Sequence, residues 1–375
     1  MTSDFFFETL KSHFHSNLPF VAFRNPNKTD IKCYLQKDDT LHNTSDFTES
    51  GFVFAPFDAD EKATILPIDA CDVLSINDAV LDENKSTQTI KPSLLDEVSK
   101  MTHIQLVKKG IEVITSDNFQ KIVLSRNERL PLSNSNPISI FKKLLATYET
   151  AFVYCWFHPK VGLWLGATPE TLMQIDGQRL ITMSLAGTQK YNGTLDINWT
   201  PKELNEQQLV TDFIVRSLQS SVGNISVGKT ETVKAGNLLH LKTSIIANFK
   251  PQISNLKGLL ASLHPTPAVC GLPKDAAKQF IIKNENYKRE FYTGFLGEMH
   301  IKTSVSRNSN SRNVENNAYA TVKTVSNLFV NLRCMKIDNQ EAIIYVGGGI
   351  TKDSNAESEW EETVQKTLVM KKVLV

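Results

Sequence analysis

Glu203 and Glu206 stand three residues apart in a segment that opens Thr200-Pro201-Lys202-Glu203. That opening has an N-cap hydroxyl, proline at the first helical position and glutamate three residues after the cap, so a helix begins there. Glu206 then shares a helical face with Val210, Phe213 and Ser217. The pattern predicts that this face is buried, where a carboxylate is costly unless a cation meets it. Glu359 and Glu362 repeat the spacing in a last helix, read from about Asn355, and Lys366 follows four beyond Glu362, so all three project from one side. Four carboxylates from two helices suit Mg²⁺, which prefers oxygen ligands, keeps several waters and commonly bridges to an anionic substrate. The same residues also admit a plainer reading. Glu203 completes a capping box with Thr200, and Glu362 with Lys366 forms a solvated pair worth roughly 0.2–0.5 kcal/mol.

Gly347-Gly348-Gly349 is read as lying between a strand and that last helix, whose start Ser354-Asn355-Ala356-Glu357 has the form of a capping box. Glycines there would let backbone N–H groups approach an anion beside a helix N-terminus, or simply make a tight turn. A dinucleotide fingerprint is excluded because Lys352 stands where its third glycine belongs. Lys121 opens the run Lys-Ile-Val-Leu-Ser-Arg, and Glu170 ends Gly-Ala-Thr-Pro-Glu, a candidate base and a candidate acid. His240 and His264 lie in apolar surroundings that suit hydrogen-bonded core histidines.

The elements that must position these groups are mostly strands. Runs at Lys121–Leu124, Ala151–Phe157, Gly162–Gly166, Thr171–Ile175 and Leu180–Leu185 read as strands, with Asp176-Gly177 as a hairpin turn. Further strands are predicted near Glu231–Lys234, Ser244–Phe249, Gly294–Ile301, Leu328–Ile337 and Ala342–Val346. Helical spacing marks Leu94 to about Ser116, with Val98, Met101, Ile104, Val107 and Ile111 on one face, and Lys274–Glu285. Thr303–Ala318, rich in Ser, Asn and Arg, reads as a loop, and residues 1–100 as strands and loops. Hairpin-linked strands with helices in blocks predict an α+β fold, one large domain with extensive, mostly antiparallel sheets. Residues 1–100 would form a variable N-terminal part of that domain, and 101–375 its core.

Composition narrows the function classes. The chain has 375 residues, 41 Lys+Arg against 40 Asp+Glu, and a formal net charge of +1. No global field attracts nucleic acid or an anionic membrane, so an anionic ligand must be met by local charge. Met1 to Leu10 lacks the basic and apolar regions of a secretory signal, and no stretch has the length of a membrane span. Five scattered cysteines with no C-x-x-C pair argue against a disulfide framework and a structural zinc site, which predicts a cytoplasmic protein.

In combination these segments resemble the chorismate-utilising enzymes, the family of isochorismate, salicylate, anthranilate and aminodeoxychorismate synthases. The resemblance is carried in order by KIVLSR (121–126), GATPE (166–170), SLAGT (184–188), KELNEQQLV (202–210) and LLHLKT (238–243). It continues through LHPTPAVCGLP (263–273), YKREFYTGFLGE (287–298), LFVNLRC (328–334), YVGGGI (345–350) and SEWEETVQK (358–366). It implies two packed sheets with helices outside, chorismate as the small-molecule substrate, Mg²⁺ as cofactor, and a monomer that needs neither nucleic acid nor membrane.

The resemblance also implies roles. Lys121 would activate a water and Glu170 protonate the departing hydroxyl. Glu206 and Glu362 would bind Mg²⁺ directly, with Glu203 and Glu359 holding its waters. Tyr292, Arg333 and Lys366, with the backbone of Gly347, Gly348 and Gly349, would meet substrate carboxylates, and His240 would lie close to the ring. The physical chemistry agrees: water is a poor nucleophile and hydroxide a poor leaving group, so a base and an acid are both needed. Within the family, Lys121 marks the water-adding members, Ala186 replaces a nucleophilic lysine, and Ala268 replaces the threonine usual in branches that eliminate pyruvate. All three favour the branch that makes isochorismate, for menaquinone or a siderophore, with salicylate synthesis or chorismate binding without turnover as the alternatives. Two positions depart from the family pattern: Gln207 replaces a histidine that often follows the metal-binding glutamate, and Thr303–Ala318 resembles an insertion.

Overall fold

The computed structural model describes residues 1–77, 97–116, 119–133, 135–249, 256–305 and 321–374. The chain begins with α1 (Ser3–His15), β1 (Phe20–Arg24), β2 (Ile31–Gln36), β3 (His42–Thr44), β4 (Gly51–Ala55), β5 (Ala63–Pro67) and β6 (Cys71–Ile76). Next come α2 (Glu97–Ser116), β7 (Lys121–Pro131), α3 (Pro137–Thr147), β8 (Phe152–His158), β9 (Gly162–Thr168), β10 (Thr171–Asp176) and β11 (Arg179–Lys190). Then follow α4 (Pro201–Leu218), β12 (Val222–Ala235), β13 (Leu238–Phe249), α5 (Leu256–Leu263), β14 (Gly271–Leu272) and α6 (Lys274–Asn284). The last are β15 (Phe295–Val305), β16 (Thr321–Val330), β17 (Cys334–Asp338), β18 (Glu341–Ile350) and α7 (Ala356–Lys371).

Two nine-stranded sheets result. Sheet I runs β14-β7-β18-β17-β9-β8-β1-β2-β6, and sheet II runs β12-β13-β11-β10-β16-β15-β4-β5-β3. Neighbouring strands are antiparallel throughout. Alternation along the strands explains why the sheets stack. On β8, Phe152, Tyr154 and Trp156 enter a cluster shared by both sheets, while Val153 and Cys155 face the opposite way into a cluster with α1 and α3. On β4, Phe52 and Phe54 face inward, and Val53 and Ala55 join the cluster under α4 and α5. Phe152 of sheet I stacks across the interface on Phe329 of sheet II at 4.1 Å, and Phe54 stacks at 4.2 Å on Phe291, in the connection leading into β15. Such offset aromatic contacts add about 0.5–1.5 kcal/mol each beyond area burial. Central strands covered on both faces read as continuous apolar runs, which is why they were legible from sequence.

The expected α+β class and the two antiparallel sheets are therefore present. Residues 1–77 place β1, β2 and β6 at one end of sheet I and β3, β4 and β5 at one end of sheet II. No helix among the described residues is long and apolar enough to cross a membrane.

Several expectations need correction. The predicted strand Leu328–Ile337 is two strands in different sheets, β16 in II and β17 in I, and the chain crosses between them at 331–333. Arg333 has a φ of +48° there, a backbone conformation that no apolar pattern reveals. Gly347–Gly349 form no turn: they lie within β18, opposite Ser125, Leu124 and Val123 of β7. The helix start after them is capped by Asn355, which accepts from Ser358 N, with no part played by Glu357. Residues 3–15 are helical where strands and loops were expected, with Phe6, Phe7 and Leu10 buried under a Thr2 cap. The helix α3, with its Asn136 cap and Pro137 at the first position, was also overlooked. The apolar face assigned to α2 is rotated, since Val98 and Met101 are exposed and His103, Val107, Gly110 and Ile114 are buried. Residues 94–96, the polar stretch 81–91 and most of the expected loop 303–318 lie outside the described residues.

One buried ion pair ties the wall of the coming pocket together. Arg289 donates twice to Glu285 and also to Val269 O, Val123 O and Thr293 Oγ1, while Glu285 accepts from Ser125 N and Oγ. Both side chains are almost wholly buried. Arg289→Met would leave Glu285 charged and unpaired, and stability in urea unfolding should fall by about 3–5 kcal/mol. A loss below about 1 kcal/mol would show that the pair is dispensable.

Candidate active site

The chain changes sheet in two places that face one pocket. At 169–170 it passes from β9 in sheet I to β10 in sheet II, and at 331–333 it returns from β16 to β17. Glu170 sits at the first crossing and Arg333 at the second. Their backbones are stitched together: Val330 N donates to Glu170 O, and Thr168 Oγ1 donates to Val330 O at 2.6 Å. The pocket between them encloses about 990 Å³ including the solvent at its mouth, within the usual range for small-molecule sites. Glu170, Glu203, Glu206, His240, Ala268, Tyr292, Arg333, Gly347, Gly348, Gly349, Glu362 and Lys366 all line it. Of the residues expected from sequence, Lys121 and Glu359 stand directly behind this lining.

Lys121 is fully buried, where its place at a strand start suggested an exposed side chain. Alternation on β7 turns Ile122 and Leu124 into the cluster under α2 and α6, and so sends Lys121 and Val123 the other way. The Lys121 ammonium lies 2.7 Å from Glu206 Oε1, close enough for an ion pair but too poorly aligned for a hydrogen bond. Gly349 makes this possible. A Cβ there would stand 2.6 Å from Glu206 Oε1 and 2.7 Å from Lys121 Cε.

Glu206 is half-buried at the edge of α4, a correction to the face assigned from sequence. The buried face carries Val210, Ile214 and Leu218, as expected from sequence, together with Gln207 and Thr211. Gln207 points away from the pocket and fastens the helix to sheet II, donating to Ser184 O, Ser184 Oγ and Thr243 Oγ1. Its place beside Glu206 thus has a structural explanation.

Burial without an ion pair sets Glu170 apart. Desolvation pushes its carboxyl up to about 8, against the opposing pull of Lys121 and Arg333, so it is mostly protonated at neutral pH. His240 is driven down to about 3, first by burial and then by Arg333, and is neutral. Its Nδ1 lies 2.8 Å from Gly187 O, which makes Nδ1 the protonated nitrogen and leaves Nε2 to accept from Arg333 Nη2 at 3.4 Å. Arg333 has no carboxylate within ion-pair distance among the described residues, so its fork is free for an anionic ligand. Lys366 donates to Gly347 O at 2.8 Å and pairs with Glu362 at 2.6 Å. Tyr292 is buried and stacks on Tyr345.

The four glutamates expected to hold Mg²⁺ are each engaged. Glu203 Oε2 accepts from Thr200 N, Thr200 Oγ1 and Gln189 Nε2, so the capping box and the pocket share one carboxylate. Glu359 pairs with Lys202 at 2.8 Å, an inter-helix contact that sequence reasoning missed because spacing along α4 cannot show what α7 brings to it. No group of three or more His, Cys, Asp or Glu side chains is gathered at metal-binding distance among the described residues. The donors nonetheless fit a hard divalent cation, being all carboxylate oxygens. Glu359 Oε2 and Glu362 Oε1 converge over Gly348, 3.3 and 3.6 Å from where a Cβ would stand. Burial and then the charge of Glu362 push the Glu359 carboxyl up, a repulsion that a cation would relieve.

A model of the chorismate binding enzymes matches residues 61–305, and a second matches 318–372. The chain belongs to the chorismate-binding enzyme family. It is 28% identical over 306 residues to isochorismate synthase MenF of Pasteurella multocida, covering 77% of this chain and 66% of that one. It is 25% identical over 302 residues to anthranilate synthase component 1 of Lactococcus lactis, covering 78% and 61%. It thus spans about two thirds or less of the length of these relatives. The solved structure of MenF, the menaquinone-specific isochorismate synthase of Escherichia coli, superposes with a TM-score of 0.72 at 20% identity over 95% of this chain and 89% of that one, a likeness of fold.

For this chorismate-binding enzyme the raised carboxyl of Glu170 has a thermodynamic signature. A carboxyl held above its ordinary value of 4.5 favours the folded state at low pH, and that advantage is lost as pH rises towards about 8. Relative to Glu170→Gln, the wild-type protein should lose stability between about pH 4.5 and 8. Parallel stability curves for the two proteins would show that Glu170 is ionised throughout.

Proposed function

We propose that this protein is an isochorismate synthase that uses Mg²⁺ to convert chorismate to isochorismate. The observation that carries the reading is the placing of Glu170, a protonated carboxylic acid, and Lys121, a buried amine, at one pocket that also presents Arg333, which has no carboxylate partner among the described residues. Water adds at C2 of the ring, the ring double bonds shift, and hydroxide leaves C4. Lys121 in its deprotonated form takes a proton from the attacking water, and Glu170 gives one to the leaving hydroxyl, so that one water enters and one departs. Arg333 and Lys366 hold the substrate carboxylates, and neutral His240 keeps Arg333 aimed. Tyr292 and the side-chain-free surface of Gly347–Gly349 shape the floor.

Glu206 and Glu362 would hold the metal directly, with Glu203 and Glu359 beside them. The bound cation would supply positive charge for a substrate carboxylate. Ala268 and Ala186 both line the pocket and neither can donate a hydrogen bond or attack, which favours hydroxyl exchange over pyruvate elimination or amine transfer. The five cysteines are buried and free, in keeping with a reducing cytoplasm, and the product would enter a menaquinone or siderophore route.

Purified protein given chorismate and Mg²⁺ near neutral pH should form isochorismate without salicylate, and EDTA should stop it. Stoichiometric pyruvate release would assign a salicylate synthase instead, no turnover of chorismate at all would leave a binding protein, and full activity in EDTA would remove the metal.

The base is tested by asymmetry. Lys121→Arg keeps the positive charge but cannot accept a proton at working pH, so kcat should fall by about 10² to 10⁴ with chorismate binding by calorimetry little changed. A Lys121→Arg enzyme within a few fold of wild type would make the lysine an electrostatic clamp.

A further inference from the structure

Three lysines and three glutamates are matched one to one around the pocket, and the three pairs are not equivalent. Lys366 and Glu362 lie four apart on α7, and Lys366 is also held by Gly347 O. Lys121 is sealed beneath Glu206 and Gly349 with no exposure. Lys202 alone reaches from one acidic helix to the other, from α4 to Glu359 on α7, and its side chain is 34% exposed. It therefore has somewhere to go.

Its partner Glu359 lies beside Glu362, the two carboxylates converging over Gly348. A divalent cation held by these carboxylates would compete directly with Lys202 for Glu359.

We propose that Lys202 is a placeholder cation, bound to Glu359 while the metal is absent and released towards solvent when a divalent cation arrives. This rests on the metal reading above. Metal affinity is then set partly by the free energy of displacing the lysine, and metal binding opens the tie between α4 and α7. Lys202 is a positioning residue in this scheme, because it acts through Glu359.

The test is made on substrate-free protein with Mg²⁺ alone, by calorimetric titration and by thermal unfolding, for wild type, Lys202→Gln and Lys202→Arg. Lys202→Gln should bind Mg²⁺ on the order of tenfold more tightly than wild type, a typical size for coupling between sites. Without metal it should unfold at a lower temperature than wild type, because Glu359 and Glu362 then repel without relief, and Mg²⁺ should restore the loss. Lys202→Arg should keep the wild-type affinity within a few fold. If Lys202→Gln binds Mg²⁺ equally or more weakly, or if its thermal loss persists in Mg²⁺, Lys202 is a structural tie and the proposal fails. If wild type itself shows neither binding heat nor a thermal shift, the metal reading fails and carries this proposal with it.

Discussion

A layer of aromatic side chains between two nine-stranded sheets is the constraint on which everything else depends. Because the central strands are covered on both faces, a polar group placed within them would be stranded from water, at a cost of about 1–3 kcal/mol or more. Chemistry is therefore confined to places where strands end, lose a neighbour or change sheet. Glu170 and Arg333 occupy the two changes of sheet described above. Gly347, Gly348 and Gly349 occupy the part of β18 beyond Ile344, where its ladder with β17 has ended and only β7 remains beside it. The pocket is the seam where two apolar layers fail to meet.

Within that seam the protein treats buried charge in two different ways. Glu206, Glu359 and Glu362 are each paired with a lysine. Glu170 is left without an ion pair and keeps its proton instead. The difference arises from which element carries each group. Lys202 of α4 and Lys366 of α7 reach Glu359 and Glu362, and Lys121 of β7 reaches Glu206, whereas the tight crossing at Pro169-Glu170 has no lysine or arginine within ion-pair distance among the described residues. Carboxyl groups in one cavity thereby become separate tools, some anions and one an acid.

Much of this was legible in the sequence. Strand-like runs at 151–157, 162–166 and 171–175 match β8, β9 and β10, and Thr200-Pro201-Lys202-Glu203 announced a cap that the structure reproduces in full. Ordered motifs carried the site residues, and Glu170, Arg333, His240 and Lys366 do converge on one pocket. What escaped was whatever depends on partners remote in sequence. The strand-like segment from Leu328 to Ile337 hides a change of sheet, because the residues on either side of the crossing are equally buried. Three consecutive glycines suggest a turn, yet here they make room in a strand for Lys121 and the glutamates, a need visible only once α4 and α7 are in place. The burial of Lys121 and the bond from Lys202 to Glu359 likewise belong to the packing.

The position of β18 has a consequence for how the molecule is made. In sheet I it lies between β7 and β17, so the strand that supplies the Lys121 wall waits for a partner from near the other end of the chain. During synthesis from the N-terminus, roughly two hundred residues follow β7 before β18 exists, and throughout that interval one edge of β7 is an unpaired template of N–H and C=O groups. That edge is closed only when β18 and α7 emerge. Lys121 is sealed in only then, so a chain interrupted before β18 has a sheet fragment and no site.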